Sequence, residues 1–125
     1  MASIDSKKNA PVDEKVELIK QFADDMKAEN IEVVPVRDKS ALMDFMIVCS
    51  GTSDTHVNAI AEKVGDRLRD LGIKPLRTNV GPKSGGWTYF DFGDVVFHVM
   101  LEEKREFYDL ETLWKTTPAD PNLIV

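Results

Sequence analysis

Residues 86–114 read GWTYFDFGDVVFHVMLEEKREFYDLETLW, and this stretch decides the fold. Because side chains alternate along a strand, its first segment places three residues on one face: Trp87, Tyr89 and Asp91. Gly93 and Asp94 then predict a hairpin turn, since glycine tolerates a positive φ. The next segment, Val95–Leu101, is apolar on both faces, which is typical of a strand inside a sheet that helices cover on either side. Helical spacing begins at Glu102, so the stretch predicts strand, turn, strand and helix.

The residues before this stretch predict the other elements of a layered fold. They indicate an amphipathic helix over 11–29, strands over 31–36 and 45–49, a helix from the Ser53 cap to Gly72, and a short strand over 73–80. This order predicts an α/β or mixed α+β fold, in which helices cover a mixed sheet. Neither end of the chain has apolar periodicity. We therefore expect one domain over 11–116, with a disordered N-terminal tail over 1–10 and a loose C-terminal tail over 117–125.

The acidity of the chain is concentrated in the same stretch. The net charge is −6, and residues 87–114 hold seven acidic and two basic residues, a net charge of −5. A surface of that sign repels phosphate backbones and suits a basic partner. The charge distribution therefore argues against direct, sequence-specific nucleic-acid binding. A solvated acidic helix with no partner is the alternative interpretation.

Composition narrows the class of protein further. No stretch is long and apolar enough to span a membrane, and residues 1–11 lack the apolar run of a signal peptide. The single cysteine, Cys49, excludes an internal disulfide and lies in an apolar run. These features favour a cytoplasmic protein that does not associate with membranes.

The motifs that carry chemistry are incomplete. The turn Gly51–Asp54 follows a strand and opens a helix, where free N–H groups bind phosphate, but it lacks the glycines of a dinucleotide site and the lysine of a P-loop. No pair of carboxylates has the spacing that a metal-dependent nucleotidyltransferase needs. With two histidines and one cysteine there is no zinc-binding pattern, and His98 is expected to be structural. The sequence thus predicts no enzyme, cofactor or metal site; a nucleotide-binding or nucleotidyltransferase-like enzyme at Gly51–Asp54 is the alternative.

The chain resembles a known family over roughly residues 14–114. The downstream matches are Trp87, the run DFGDVV at 91–96, His98, Arg105, Tyr108, Leu110, Glu111, Leu113 and Trp114. The upstream matches, in order, are Ser40, Asp44, Phe45, Ile47, Ser50, Gly51, Ser53, His56, Val57, Ala59, Ile60 and Ala61. Together they resemble the ribosomal silencing factors, also called the Iojap family.

This resemblance implies a fold and a function. The fold is a five-stranded mixed sheet similar to that of nucleotidyltransferases, without their activity. The function is binding to the large ribosomal subunit through ribosomal protein L-fourteen, which blocks joining of the small subunit and represses translation. We expect the docking face to comprise Trp87, Tyr89, Asp91, Tyr108, Asp109 and Glu111, because aromatic residues beside carboxylates are typical interface anchors. The alternative for Trp87 is that it covers the sheet under a helix. A homodimer that pairs through the Trp87 face is compatible with this function.

Overall fold

The computed structural model describes Lys7 and residues 9–123. Most of the expected N-terminal tail lies outside the described residues, as do the last two residues of the expected C-terminal tail. Within the C-terminal tail, the N–H of Asp120 donates to the carbonyl of Asp38 at 2.8 Å. In the part of the chain that the structure describes, no helix has the length and apolarity to cross a bilayer.

The chain folds into four helices and a five-stranded sheet over its described residues. In chain order the elements are α1 (Val12–Asp25), β1 (Glu29–Pro35), β2 (Phe45–Gly51), α2 (Asp54–Asp70), β3 (Arg77–Asn79), β4 (Trp87–Asp91), β5 (Val95–Leu101), α3 (Glu102–Tyr108) and α4 (Leu110–Thr116). The strand order is β1-β2-β5-β4-β3. The pair β2–β5 is parallel and the other pairs are antiparallel, which confirms the mixed sheet and the α+β class.

One face of the sheet carries the main core. The helices α1 and α2 cover this face with apolar stripes, because their apolar residues recur at helical spacing. Residues with side chains in this core include Ile19, Phe22, Ile47, Val57, Ile60, Val64, Leu68, Phe90, Phe97 and Val99. The N-cap of α2 is Ser53, as the sequence predicts, and its hydroxyl accepts the N–H of His56 at 3.0 Å.

The other face of the sheet is covered only in part. A smaller cluster of Val34, Val36, Met46, Val48 and Met100 packs there against Trp87, Leu110 and Trp114. The covering helices α3 and α4 have seven residues each, so they cannot extend across all five strands. The expectation that helices cover β5 on both sides is therefore wrong for part of its length, where Val96 and His98 stay half-buried.

The last helical segment is broken. Asp109 has a φ of +45° and forms an elbow between α3 and α4, and its carboxylate accepts the N–H of Thr112 at 3.4 Å. Helical spacing in the sequence suggests one helix that buries Phe107, Leu110 and Trp114 together. The elbow rotates the two parts, so Leu110 and Trp114 pack on the sheet while Phe107 is 80% exposed. A second correction concerns the strand expected over residues 73–80, which spans only Arg77–Asn79.

Gly65 offers a test of the helix–sheet packing. A Cβ added at this position of α2 would lie 2.7 Å from Cζ of Phe90, which is closer than atoms can approach. We expect Gly65→Ala to lower the free energy of unfolding by about 1–2 kcal/mol, because overpacking costs more than the helix propensity of alanine regains. Urea denaturation measures the free energy of unfolding of the parent and the variant. Lys63→Ala, at an exposed site of the same helix, is the control, and a stabilised Gly65→Ala variant would contradict the packing.

Candidate docking surface

Five ring-bearing side chains form a continuous row across the open part of the sheet and onto α3. The ring of Trp87 lies 4.7 Å from that of Tyr108 and 5.9 Å from that of His98, measured between centroids. Tyr89 lies 6.2 Å from His98, and Phe107 meets Tyr108 edge-on at 5.0 Å. We call Tyr89, His98, Trp87, Tyr108 and Phe107 the aromatic row.

Strand pairing explains most of this row. The antiparallel register sets Tyr89 opposite His98 and Trp87 opposite Met100, so the alternate residues of β4 and β5 share one face. This confirms the prediction that Trp87, Tyr89 and Asp91 lie on the same side of a strand. Tyr108, at the end of α3, packs on Trp87, which the strand pattern does not predict. Phe107 and His98 therefore join the surface although the sequence did not single them out as binding residues.

His98, in the middle of this row, has a neutral ring. The indole N–H of Trp87 donates to Nδ1 of His98 at 3.0 Å, so the proton of the neutral ring resides on Nε2. Burial lowers the pKa of His98 from 6.5 to about 4, and the nearby carboxylate of Asp91 opposes that change only in part. The row therefore carries no histidine charge at neutral pH, and the structural role expected for His98 is compatible with its contacts.

The three carboxylates expected on the docking face differ in their surroundings. Asp91 accepts the N–H of Gly93 at 2.8 Å and lies 3.5 Å from the guanidinium of Arg77. Asp109 is exposed and caps α4. Glu111 is not free at the surface, because its Oε2 accepts from Nε of Arg105 at 3.2 Å in a pair that is largely buried. Glu111 is thus held in an ion pair with Arg105 of the same chain.

Besides the three carboxylates expected on the docking face, α3 carries exposed carboxylates. Glu102, Glu103 and Glu106 are exposed on α3, and Glu103 lines a shallow depression together with Lys104, Phe107 and Tyr108. Glu103 precedes Phe107 by one helical turn and lies beside the exposed ring, whereas Glu102 lines a separate depression with Glu32 and Arg105. The surface therefore combines apolar rings with an acidic edge.

The turn Gly51–Asp54 is occupied by contacts from the chain itself. Nδ1 of His56 accepts the N–H of Thr52 at 2.9 Å, so its Nε2 donates to the carbonyl of Met26 at 2.9 Å. His56 thus joins the turn to the end of α1. The close approach of Val57 also explains Gly51, because a Cβ there would lie 2.7 Å from Cγ2 of Val57.

The single cysteine, Cys49, is buried in β2. Burial raises the pKa of Cys49 to about 12, so this cysteine stays a protonated thiol. Among Lys7 and residues 9–123, no group of three or more histidine, cysteine, aspartate or glutamate side chains is arranged to hold a metal ion. The aromatic row is the feature of this region that calls for a functional explanation.

The low pKa of His98 predicts a pH dependence of stability. Between about pH 6.5 and 4 the unfolded chain binds a proton at this residue and the folded chain does not, so acidification favours unfolding. We expect the free energy of unfolding to fall as the pH is lowered through this window. His98→Gln keeps an acceptor for the indole N–H and does not titrate, so its stability should depend less on pH. Urea titrations at several pH values measure the difference, and equal slopes would contradict the assignment.

Comparison with known proteins places the chain in a family. A family model described as "Ribosomal silencing factor during starvation" matches residues 9–123. A ribosomal silencing factor of Halalkalibacterium halodurans is 34% identical over 85% of this chain and 90% of its own length. A mouse protein named "Mitochondrial assembly of ribosomal large subunit protein 1" is 33% identical over 77% of this chain and 43% of its own length.

The solved structures agree with the sequence comparison. The crystal structure of a protein from Chromobacterium violaceum superposes with a TM-score of 0.80 at 33% identity. The match covers 88% of this chain and 91% of that one. The shared sheet and the extent of the sequence match lead to one conclusion: the chain belongs to the ribosomal silencing factor family.

Proposed function

We propose that this protein binds the large ribosomal subunit through ribosomal protein L-fourteen and keeps the small subunit from joining. Membership of the silencing-factor family supports a role in translation regulation, and the name of the mouse relative refers to the large subunit. The proposed activity is steric and requires no catalytic residue. It takes place in the cytoplasm, where the subunits meet.

The observation that carries the proposal is the aromatic row on an uncovered part of the sheet. Phe107 is 80% exposed and Tyr108 is 46% exposed, and their rings continue through Trp87 and His98 to Tyr89. Folded proteins usually bury such rings, and tryptophan and tyrosine dominate the energetics of protein interfaces. The row therefore has the composition of an interface centre.

The charge of the surrounding surface indicates the kind of partner. Glu103 lies beside Phe107 and Tyr108, and it is exposed, as are Glu102, Glu106 and Asp109 in the same acidic segment. A protein that lies on ribosomal RNA carries basic residues to neutralise phosphates, so its surface complements this acidic edge. Complementary charge accelerates the encounter and fixes the orientation, while the rings contribute most of the affinity.

The size of the domain explains how docking blocks subunit joining. A folded chain of 125 residues has a radius of gyration of about 14 Å. A domain of that size on the face that meets the small subunit separates the two surfaces by far more than the reach of a hydrogen bond or a bridging water. The subunits then lose their contacts without any chemical change.

Truncating the rings tests the centre of the surface. We expect Trp87→Ala to weaken binding to purified large subunits by about 2–4 kcal/mol, because it removes an anchor. Tyr89→Ala should also weaken binding and leave the melting temperature near that of the parent, since Tyr89 lies on the open face. Equilibrium binding and thermal unfolding are measured for each variant. A folded Tyr89→Ala variant that binds with the affinity of the parent would place the surface elsewhere.

Charge reversal tests the acidic edge. Glu103→Lys with Glu106→Lys should slow association with the large subunit, because the steering charge changes sign. Added salt should slow association of the parent more than that of this variant. The matched control is Glu62→Lys with Asp66→Lys, which reverses two exposed charges on α2, the helix on the opposite face of the sheet. Equal association rates for all three proteins would contradict an electrostatic role for α3.

A reconstituted joining reaction tests the function itself. Small and large subunits are mixed with the protein and separated on a sucrose gradient. We expect the fraction of joined ribosomes to fall with the parent and to recover with Trp87→Ala. Isolated ribosomal protein L-fourteen should bind the parent and compete with the large subunit. If the protein binds the large subunit but not isolated ribosomal protein L-fourteen, large-subunit binding stands and ribosomal protein L-fourteen is rejected as the contact.

A further inference from the structure

Arg105 is the only charged residue with a buried side chain in the part of the chain that the structure describes, at 6% exposure. Its guanidinium joins three other elements to α3. Nη1 donates to Oγ of Ser50 at the end of β2, at 2.9 Å, and Nε donates to Oε2 of Glu111 on α4, at 3.2 Å. Nη2 lies 3.8 Å from Oε2 of Glu32 on β1, whose other carboxylate oxygen pairs with Lys115.

These contacts determine the angle of the elbow at Asp109. Arg105 lies on α3 and Glu111 lies just beyond the elbow on α4, so their ion pair joins the two short helices across the bend. Ser50 and Glu32 attach the same guanidinium to the sheet. Because the fork of a guanidinium is planar and rigid, its hydrogen bonds restrain orientation as well as distance. Tyr108 lies between Arg105 and the elbow and is carried by this arrangement onto Trp87.

A contribution to stability does not by itself account for the contacts of Arg105. Oε1 of Glu111 is buried and accepts no hydrogen bond within the described chain. A buried charge costs desolvation energy, and a buried ion pair often adds no more stability than apolar side chains of similar volume. Its directional contacts, in contrast, are lost in any apolar substitution. The network is therefore better explained by what it orients.

We propose that Arg105, together with Glu111, is a positioning residue of the docking surface. It holds the α3–α4 elbow so that Tyr108 packs on Trp87 and Phe107 faces the partner. The effect on ribosome binding rests on the function proposed above, while the effect on the geometry of the rings does not. Glu111, expected from the sequence on the docking face, acts from beneath that face.

The test separates orientation from stability. Arg105→Met removes the guanidinium and keeps the aliphatic stem, and Arg105→Met with Glu111→Met replaces the whole ion pair by apolar groups. We expect the double variant to melt close to the parent, since no unpaired charge remains buried. Its Trp87 indole N–H resonance should nevertheless shift as Tyr108 leaves the ring, and its affinity for the large subunit should fall at least tenfold. The indole N–H resonance is assigned to Trp87 by its absence from the spectrum of Trp87→Phe.

Arg67→Met is the matched control. Arg67 pairs with Asp25 at 2.8 Å and lies over the ring of Phe22 on the α1–α2 side, so its loss should leave both the indole resonance and the affinity unchanged. A double variant with the indole resonance of the parent would overturn the positioning role. If the parent binds large subunits, a double variant that binds them as tightly would also overturn the positioning role. If the parent fails to bind large subunits, the proposed function fails, and the indole resonance still decides the positioning role.

Discussion

The parallel pairing of β2 with β5 is the constraint on which the rest of the structure depends. It runs from Phe45 opposite Val95 to Gly51 opposite Leu101, so both strands end at the same edge of the sheet. Two parallel neighbours require a long crossover, and α2 with the β3–β4 hairpin supplies it. Since α3 begins directly after β5, Arg105 emerges beside Ser50 at the end of β2. The elbow lies close to that meeting point, while the register of β4 with β5 places Trp87, Tyr89 and His98 on one face.

The unequal covering of the sheet leaves part of one face open. The helices α1 and α2 have 14 and 17 residues and cover one face, whereas α3 and α4 together reach only part of the other. The uncovered part belongs to the strands that carry Tyr89 and His98. A longer final helix would bury these rings and strengthen the core, but it would also remove the surface that a partner can recognise. The short, bent helices leave that surface accessible and support one end of it.

The electrostatics divide the surface into a neutral centre and a charged edge. Burial keeps His98 uncharged at neutral pH, and the indole of Trp87 satisfies its Nδ1, so the centre of the row carries no formal charge. The exposed carboxylates of α3 lie outside that centre, where water solvates them. This arrangement avoids the desolvation of charges in the middle of an interface and retains their long-range attraction for a basic partner. It also explains why the most acidic stretch of the chain contains its largest aromatic side chains.

The sequence by itself determined the number and order of the strands, the N-cap of α2 and the side of β4 on which Trp87, Tyr89 and Asp91 lie, because alternation and capping are properties of neighbouring residues. The family resemblance, carried by ordered matches along the chain, also followed from the sequence alone. Only the tertiary structure decided what each charged group contacts. Glu111 looks like a surface acid until Arg105, Ser50 and Glu32 converge from three elements, and Phe107 looks like a core residue until Asp109 bends the helix. Such contacts depend on how distant segments pack, so local periodicity carries no information about them.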